Sequence, residues 1–160
     1  MAIDSSLDDS RYVGVRSVGN PDGTVTCTVE FAVESEQAMW AEVVRVLTDP
    51  TVQLAITPML DLHLPEVYRR RSQTVGYGEL LKFTPLVRNM IIENRLFHTG
   101  ENALAEHCDR AVMVKTQAGS ALSSAKSAGP IELARCMIFA SALASKPITK
   151  NKPLLVVVNG

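Results

Sequence analysis

Three carboxylates stand in settings where they could do chemistry together: Asp4 in Ala2-Ile3-Asp4-Ser5-Ser6, Asp61 in Thr57-Pro58-Met59-Leu60-Asp61-Leu62, and Glu132 just behind Gly129-Pro130. Asp4 follows an apolar pair and precedes a polar turn, as at a strand end that delivers its last side chain to a site. Asp61 comes a few residues after the apolar run Val52–Thr57, and alternation points it opposite to its neighbours Leu60 and Leu62, which by itself favours plain solvent exposure. Glu132 opens a stretch in which Ile131, Leu133, Ala134, Met137, Ile138, Phe139 and Leu143 cover most directions around a helix axis, so the helix is expected to be buried. Taken alone, Glu132 is explained as a first-turn residue, because a carboxylate there favours the exposed amides and the positive end of the dipole. Taken together, the three acids point elsewhere. Crowded carboxylates repel one another unless a cation neutralises them, and Mg²⁺ or Mn²⁺ takes oxygen ligands. Two such ions about 3.5–4 Å apart can activate a water and stabilise the leaving oxygen in phosphodiester hydrolysis.

Other residues could support such a site. Asp8 or Asp9 could assist Asp4, and Glu66 competes with Asp61 for the second place. Lys126, a few residues ahead of the Glu132 helix, could neutralise a scissile phosphate or be a plain surface lysine. His98 could position a water or cap its turn, whereas His107, in mid-helix beside Cys108, reads as structural. Arg69, Arg70 and Arg71 form a cluster suited to a DNA backbone, with no base readout implied.

The elements that must hold these groups are partly visible. Residues 11–18 and 24–33 alternate as two strands around the turn cluster Asn20-Pro21-Asp22-Gly23, which predicts a hairpin. A helix starts at Ser35 or Glu36 and stops at Asp49-Pro50, and Val52–Thr57 is a short strand closed by Pro58. The pattern predicts a helix over 79–94, with a short turn ahead of Thr84-Pro85 and the main helix after it. Further helices are expected over 101–115 and from about Pro130 to Ser145, with a short strand at 121–124. This order predicts an α/β fold, a mixed sheet flanked by helices in the ribonuclease-H-like arrangement. Residues 1–146 would form that domain, and 147–160 a Lys/Pro tail whose Leu154–Val158 run could act as an edge strand.

The 160 residues are enough for one domain with a sizeable core, at 46% hydrophobic and 21% charged. No apolar run approaches the roughly 20 residues that cross a bilayer, and no signal-peptide pattern opens the chain, so a cytoplasmic location without membrane partners is expected. Cys27, Cys108 and Cys136 lack metal-type spacing and read as reduced core residues. A net charge of −1 argues against coating nucleic acid through the overall field, yet allows a nuclease whose acids offset its bases.

Several segments, in order, carry a resemblance. They are Thr57-Pro58-Met59-Leu60-Asp61-Leu62-His63-Leu64-Pro65, Val75-Gly76-Tyr77-Gly78-Glu79-Leu80, His98-Thr99-Gly100, Leu104-Ala105-Glu106-His107, Arg110-Ala111-Val112, and Lys126-Ser127 through Gly129-Pro130-Ile131-Glu132. Together they resemble the nuclease domain of a tailed-phage terminase large subunit, most of all those of actinobacterial phages and prophages. The resemblance implies a ribonuclease-H-like fold, two Mg²⁺ or Mn²⁺ ions, and cleavage of concatemeric viral DNA during genome packaging in the host cytoplasm. Its partners would be double-stranded DNA, a small subunit, a portal protein and a separate ATPase motor. Asp4 takes the place of the family's first acid and Glu132 that of the third, which is often Asp. The second acid normally follows its strand directly, where this chain has Thr57, so Asp61 is the nearest match. No G-x-x-x-x-G-K-[ST] loop occurs, so the chain is not the motor. Only three residues precede Asp4, as a fragment, a split gene or a prophage remnant would explain. Two alternatives stay open: a non-catalytic remnant or docking module of the same fold, and another ribonuclease-H-like nuclease of the resolvase or transposase type.

Overall fold

The computed structural model describes residues 1–146. Alternation builds the sheet. β1 (Ala2–Ser5) runs antiparallel to β2 (Tyr12–Gly19), which turns through 20–24 into antiparallel β3 (Val25–Val33). Helix α1 (Glu36–Leu47) then carries the chain to β4 (Leu54–Ile56), which lies parallel to β1 on its other side. After a one-turn helix α2 (Pro58–Asp61) and a 3-10 turn (Glu66–Arg71), β5 (Ser72–Thr74) adds in parallel to β4. The long helix α3 (Tyr77–Ile92) leads to β6 (Leu96–His98), parallel to β3. The six-stranded order is β5-β4-β1-β2-β3-β6, with β1 at the centre. Next come α4 (Asn102–Arg110), a small antiparallel pair of β7 (Met113–Thr116) and β8 (Gly119–Leu122), and α5 (Glu132–Ala144).

The period-2 pattern sorts side chains onto two faces. Ala2, Val13, Val15, Val25, Cys27 and Ala55 pack beneath α5 and α3, with Leu133, Cys136, Phe139 and Ala140 above them. Ile3, Tyr12, Phe31, Leu54 and Ile56 face the other way, onto Met39, Val43, Val46 and Leu47 of α1. Each of these α1 side chains contributes about 1.5–3 kcal/mol by leaving water. Ser35 caps α1, its hydroxyl accepting from the Ala38 amide. Because Ala2 faces α5 and Ile3 faces α1, Asp4 also points toward α5.

The structure departs from the expected elements in places. Helix α3 runs unbroken through Pro85, although proline removes a backbone donor there. The Thr84 hydroxyl donates to the Leu80 carbonyl at 2.7 Å, and Leu80, Thr84, Val87 and Met90 are buried, so packing holds the helix across the gap. The expected helix over 101–115 stops at Arg110, because Met113–Thr116 pairs with Gly119–Leu122 instead. Helix α5 begins at Glu132, two residues later than expected, with Ile131 in the capping position. The expected edge strand within the tail 147–160 lies outside the described residues.

Candidate functional site

The ends of β1 and β4 meet beneath α5 in a cleft of about 570 Å³. Asp4, Ser5 and Ser6 line it from β1 and the turn after it, Thr57 and Pro58 from the end of β4, Ser123 and Ser124 from beyond β8, and Arg135 and Phe139 from α5. Asp4 is 3% exposed. One of its oxygens, Oδ1, accepts the Ser5 amide at 3.0 Å; the other, Oδ2, lies 2.5 Å from Nη2 of Arg135. That contact has ion-pair distance without hydrogen-bond alignment, so Oδ2 keeps an unused lone pair. The guanidinium is seated from two more directions, Nη1 donating to Ser124 Oγ at 3.2 Å and Nη2 to the Ser5 carbonyl at 3.5 Å. Burial raises the Asp4 carboxyl to about 6; the Arg135 charge, the Ser5 amide and the Arg135 contact pull it back, and Glu132 adds a small push upward. The Arg135 guanidinium, in contact with Oδ2, favours the ionised carboxylate against its burial.

Glu132 is also buried, at 8% exposure, and its Oε2 has no hydrogen-bond partner. His107 lies beside it, Nδ1 to Oε2 3.8 Å, but that nitrogen accepts the Leu133 amide at 3.2 Å. Its lone pair is therefore committed, and burial moves the imidazole further from charging. His107 acts as a cap on α5 contributed by α4, which Ile131 cannot supply from its own side chain. The structural role expected of His107 thus has a specific form.

The other candidates do not gather here. Asp61 ends α2, with Oδ1 3.4 Å from Nη1 of Arg69, and it does not line the cleft. Pro58 starts a helical turn after β4, which carries Asp61 to the far end of that turn and away from the strand end. Thr57 holds the nearer position. Ala2 and Ile3 pair with Ala55 and Ile56 in parallel register, so the next step sets Thr57 beside Asp4. Glu66 is an exposed partner of Arg69 at 3.2 Å. Asp8 closes its own turn, accepting from Ser6 Oγ and from the amide and hydroxyl of Ser10; these bonds lower its carboxyl to about 2. Asp9 sits exposed in the same turn with φ 53°. His98 ends β6, separated from β1 by both β2 and β3, where Nδ1 accepts the Gly100 amide at 3.1 Å and caps the turn. Lys126 is exposed and is not part of the cleft lining.

The arginine cluster is divided. Arg71 donates to the carbonyls of Leu47 (2.9 Å), Asp49 and Val52 (2.7 and 3.1 Å), tying the α1–β4 connection to the 3-10 turn. Four of the five guanidinium N–H groups are so engaged, which leaves Arg71 poorly placed for the role expected of it at a DNA backbone. Arg69 is taken by Asp61 and Glu66, so among the described residues Arg70 alone of the three has neither an ion pair nor a side-chain hydrogen bond.

Arg135 is the residue that sequence reasoning missed. Its signal was one basic side chain in the otherwise apolar run Leu133-Ala134-Arg135-Cys136-Met137. A charge so placed needs a buried partner. Cys136 beside it is fully buried and its thiol is pushed well up by that burial, as expected of an inert core cysteine.

The fold is that of a ribonuclease-H-like α/β domain, with an antiparallel β1-β2-β3 unit extended by parallel β4 and β5 and covered by helices. It is similar to the crystal structure of the HK97 bacteriophage large terminase, with a TM-score of 0.71 and 14% sequence identity over 89% of this chain and 38% of that one. The chain thus spans well under half the length of that protein. No protein-family model matches the chain, and no curated protein matches its sequence.

A two-ion site of the expected kind does not fit these residues. Among the described residues, no three His, Cys, Asp or Glu side chains come together closely enough to hold a metal ion. Asp4 and Glu132 share one region, Asp61 belongs to another, and Asp4 already faces a cation.

Proposed function

We propose that this chain is a terminase-nuclease-type domain that serves viral DNA packaging as a non-cutting docking module. The observation that carries the reading is Thr57, set beside Asp4 at the strand end where a hydroxyl cannot do the work of a second carboxylate. Without that acid a pair of divalent ions lacks the shared ligands that hold it, and two-metal phosphodiester hydrolysis loses its centre. Its partners would then be double-stranded DNA and the packaging proteins, meaning a separate ATPase motor, a small subunit and a portal, in the host cytoplasm. The likeness of the quoted segments to actinobacterial-phage proteins belongs to this proposal. Among the described residues, no helix is long and apolar enough to cross a membrane.

A second reading keeps the chemistry. It makes the domain an endonuclease dependent on Mg²⁺ or Mn²⁺, and it is favoured by the unpartnered buried oxygens Asp4 Oδ2 and Glu132 Oε2. Plasmid incubated with the protein and Mn²⁺ or Mg²⁺ separates the two. The docking reading expects no cleavage above that of an Asp4→Asn, Glu132→Gln control. Nicking that the double substitution abolishes would establish the endonuclease, and a preference for branched DNA would move it to the resolvase type.

A further inference from the structure

We propose that Arg135 is the chain's own cation at Asp4, standing where the fold would otherwise call for a divalent ion and leaving the cleft charge-balanced without metal. This deepens the docking reading, on which it rests. The guanidinium is built into the site. It lies 2.5 Å from Asp4 Oδ2 and is held by Ser124 Oγ and the Ser5 carbonyl, groups that belong to neither α5 nor each other's element. Both charged side chains are largely out of water, Arg135 at 21% and Asp4 at 5% exposure.

A divalent ion bound through Asp4 Oδ2 would have to displace that guanidinium, leaving a sequestered cation beside a doubly charged one. The exchange is uphill unless further carboxylates converge. Thr57 supplies none, and Glu132, one helical turn before Arg135, offers one at most. A guanidinium neutralises a carboxylate, yet it has no open coordination position at which to ionise a water. The same side chain therefore explains how a buried Asp4 is tolerated and why it would not act as a metal ligand.

The test is Mn²⁺ titration by calorimetry, paired with thermal melts, on the full chain and on Asp4→Asn, Thr57→Asp and Thr57→Asp/Arg135→Gln variants. The full chain is expected to show no saturable Mn²⁺ binding in the millimolar range. Thr57→Asp/Arg135→Gln should bind at least tenfold more tightly than Thr57→Asp alone, and Mn²⁺ should raise its melting temperature. Saturable binding by the full chain that Asp4→Asn abolishes would overturn the proposal, as would equal affinities for the two Thr57→Asp proteins. If the double variant is unfolded without metal, recovery of its far-ultraviolet circular dichroism with Mn²⁺ supports the proposal and no recovery counts against it. Cleavage by the full chain would sink the docking reading, whereas metal binding without cleavage would sink only the role of Arg135.

Discussion

Replacing Asp4 with Asn should remove a specific pH dependence of stability. Burial pushes the folded-state carboxyl from 3.8 to about 6, against the opposing pull of Arg135 and the Ser5 amide. Between those two values the folded chain keeps a proton that the unfolded chain has released. Stability therefore falls as pH rises through this window, by about 1.4 kcal/mol for each pH unit and on the order of 3 kcal/mol across it. Above the window the loss is complete and the profile levels off. Asn keeps the shape of the side chain and does not titrate, so the difference between the two proteins isolates this one group from every other carboxylate. Urea denaturation at pH 4.5, 5.5, 6.5 and 7.5 measures it, with wild type losing ground to Asp4→Asn over the first three and holding level thereafter. A difference that is flat with pH would mean the Arg135 charge cancels the burial cost. A difference of opposite sign would mean attraction wins, and a desolvated carboxylate could not be the cause.

Arg71→Met should cost about 2–4 kcal/mol, since charged donors to three partly buried carbonyls are lost and water replaces only some of them. DNA affinity by fluorescence anisotropy should stay within twofold, and a large loss of affinity in a stable variant would restore Arg71 as a backbone contact. His107→Ala should destabilise by about 1–3 kcal/mol, leaving the Leu133 amide without its acceptor; unchanged urea midpoints would refute the capping role. Gly14→Ala should cost about 1–3 kcal/mol, because a Cβ there falls well inside contact distance of the Phe31 ring carbons. Adding Phe31→Leu should return part of that loss, and no return would show that the ring is not the obstacle.

How much of this was legible in the chain depended on whether local pattern or distant pairing decided each element. The β2–β3 hairpin, α1 and α5 were readable, because alternation, the Ser35 cap and the apolar run after Pro130 are local signals. β5 and β6 were not, since three residues such as Ser72-Gln73-Thr74 have no period of their own and are strands only because β4 and β3 offer an edge. Met113 looked like a continuation of α4 for a similar reason, its partner Leu122 being unknowable from spacing. At the site, the strand ending at Asp4 and the helix opening at Glu132 were both visible, and their packing brings the two acids into one region. Asp61 was chosen as the nearest acid after β4 by resemblance, and what spacing did not reveal is that Pro58 starts a helical turn that sets its carboxylate against Arg69. Arg135 was passed over because its meaning lies in what stands across from it, and Ser5 and Asp4 are remote in sequence.

The central claim is that the Asp4 cleft is balanced by Arg135 and does not assemble a two-metal centre. A crystal of the protein soaked in Mn²⁺, with anomalous diffraction recorded at the manganese edge, tests it most directly. The expected result is no anomalous peak within coordination distance of Asp4, and the Arg135 guanidinium still in contact with Oδ2. Two peaks bridged by Asp4 and Glu132, with Arg135 swung away or Asp61 drawn in, would contradict it.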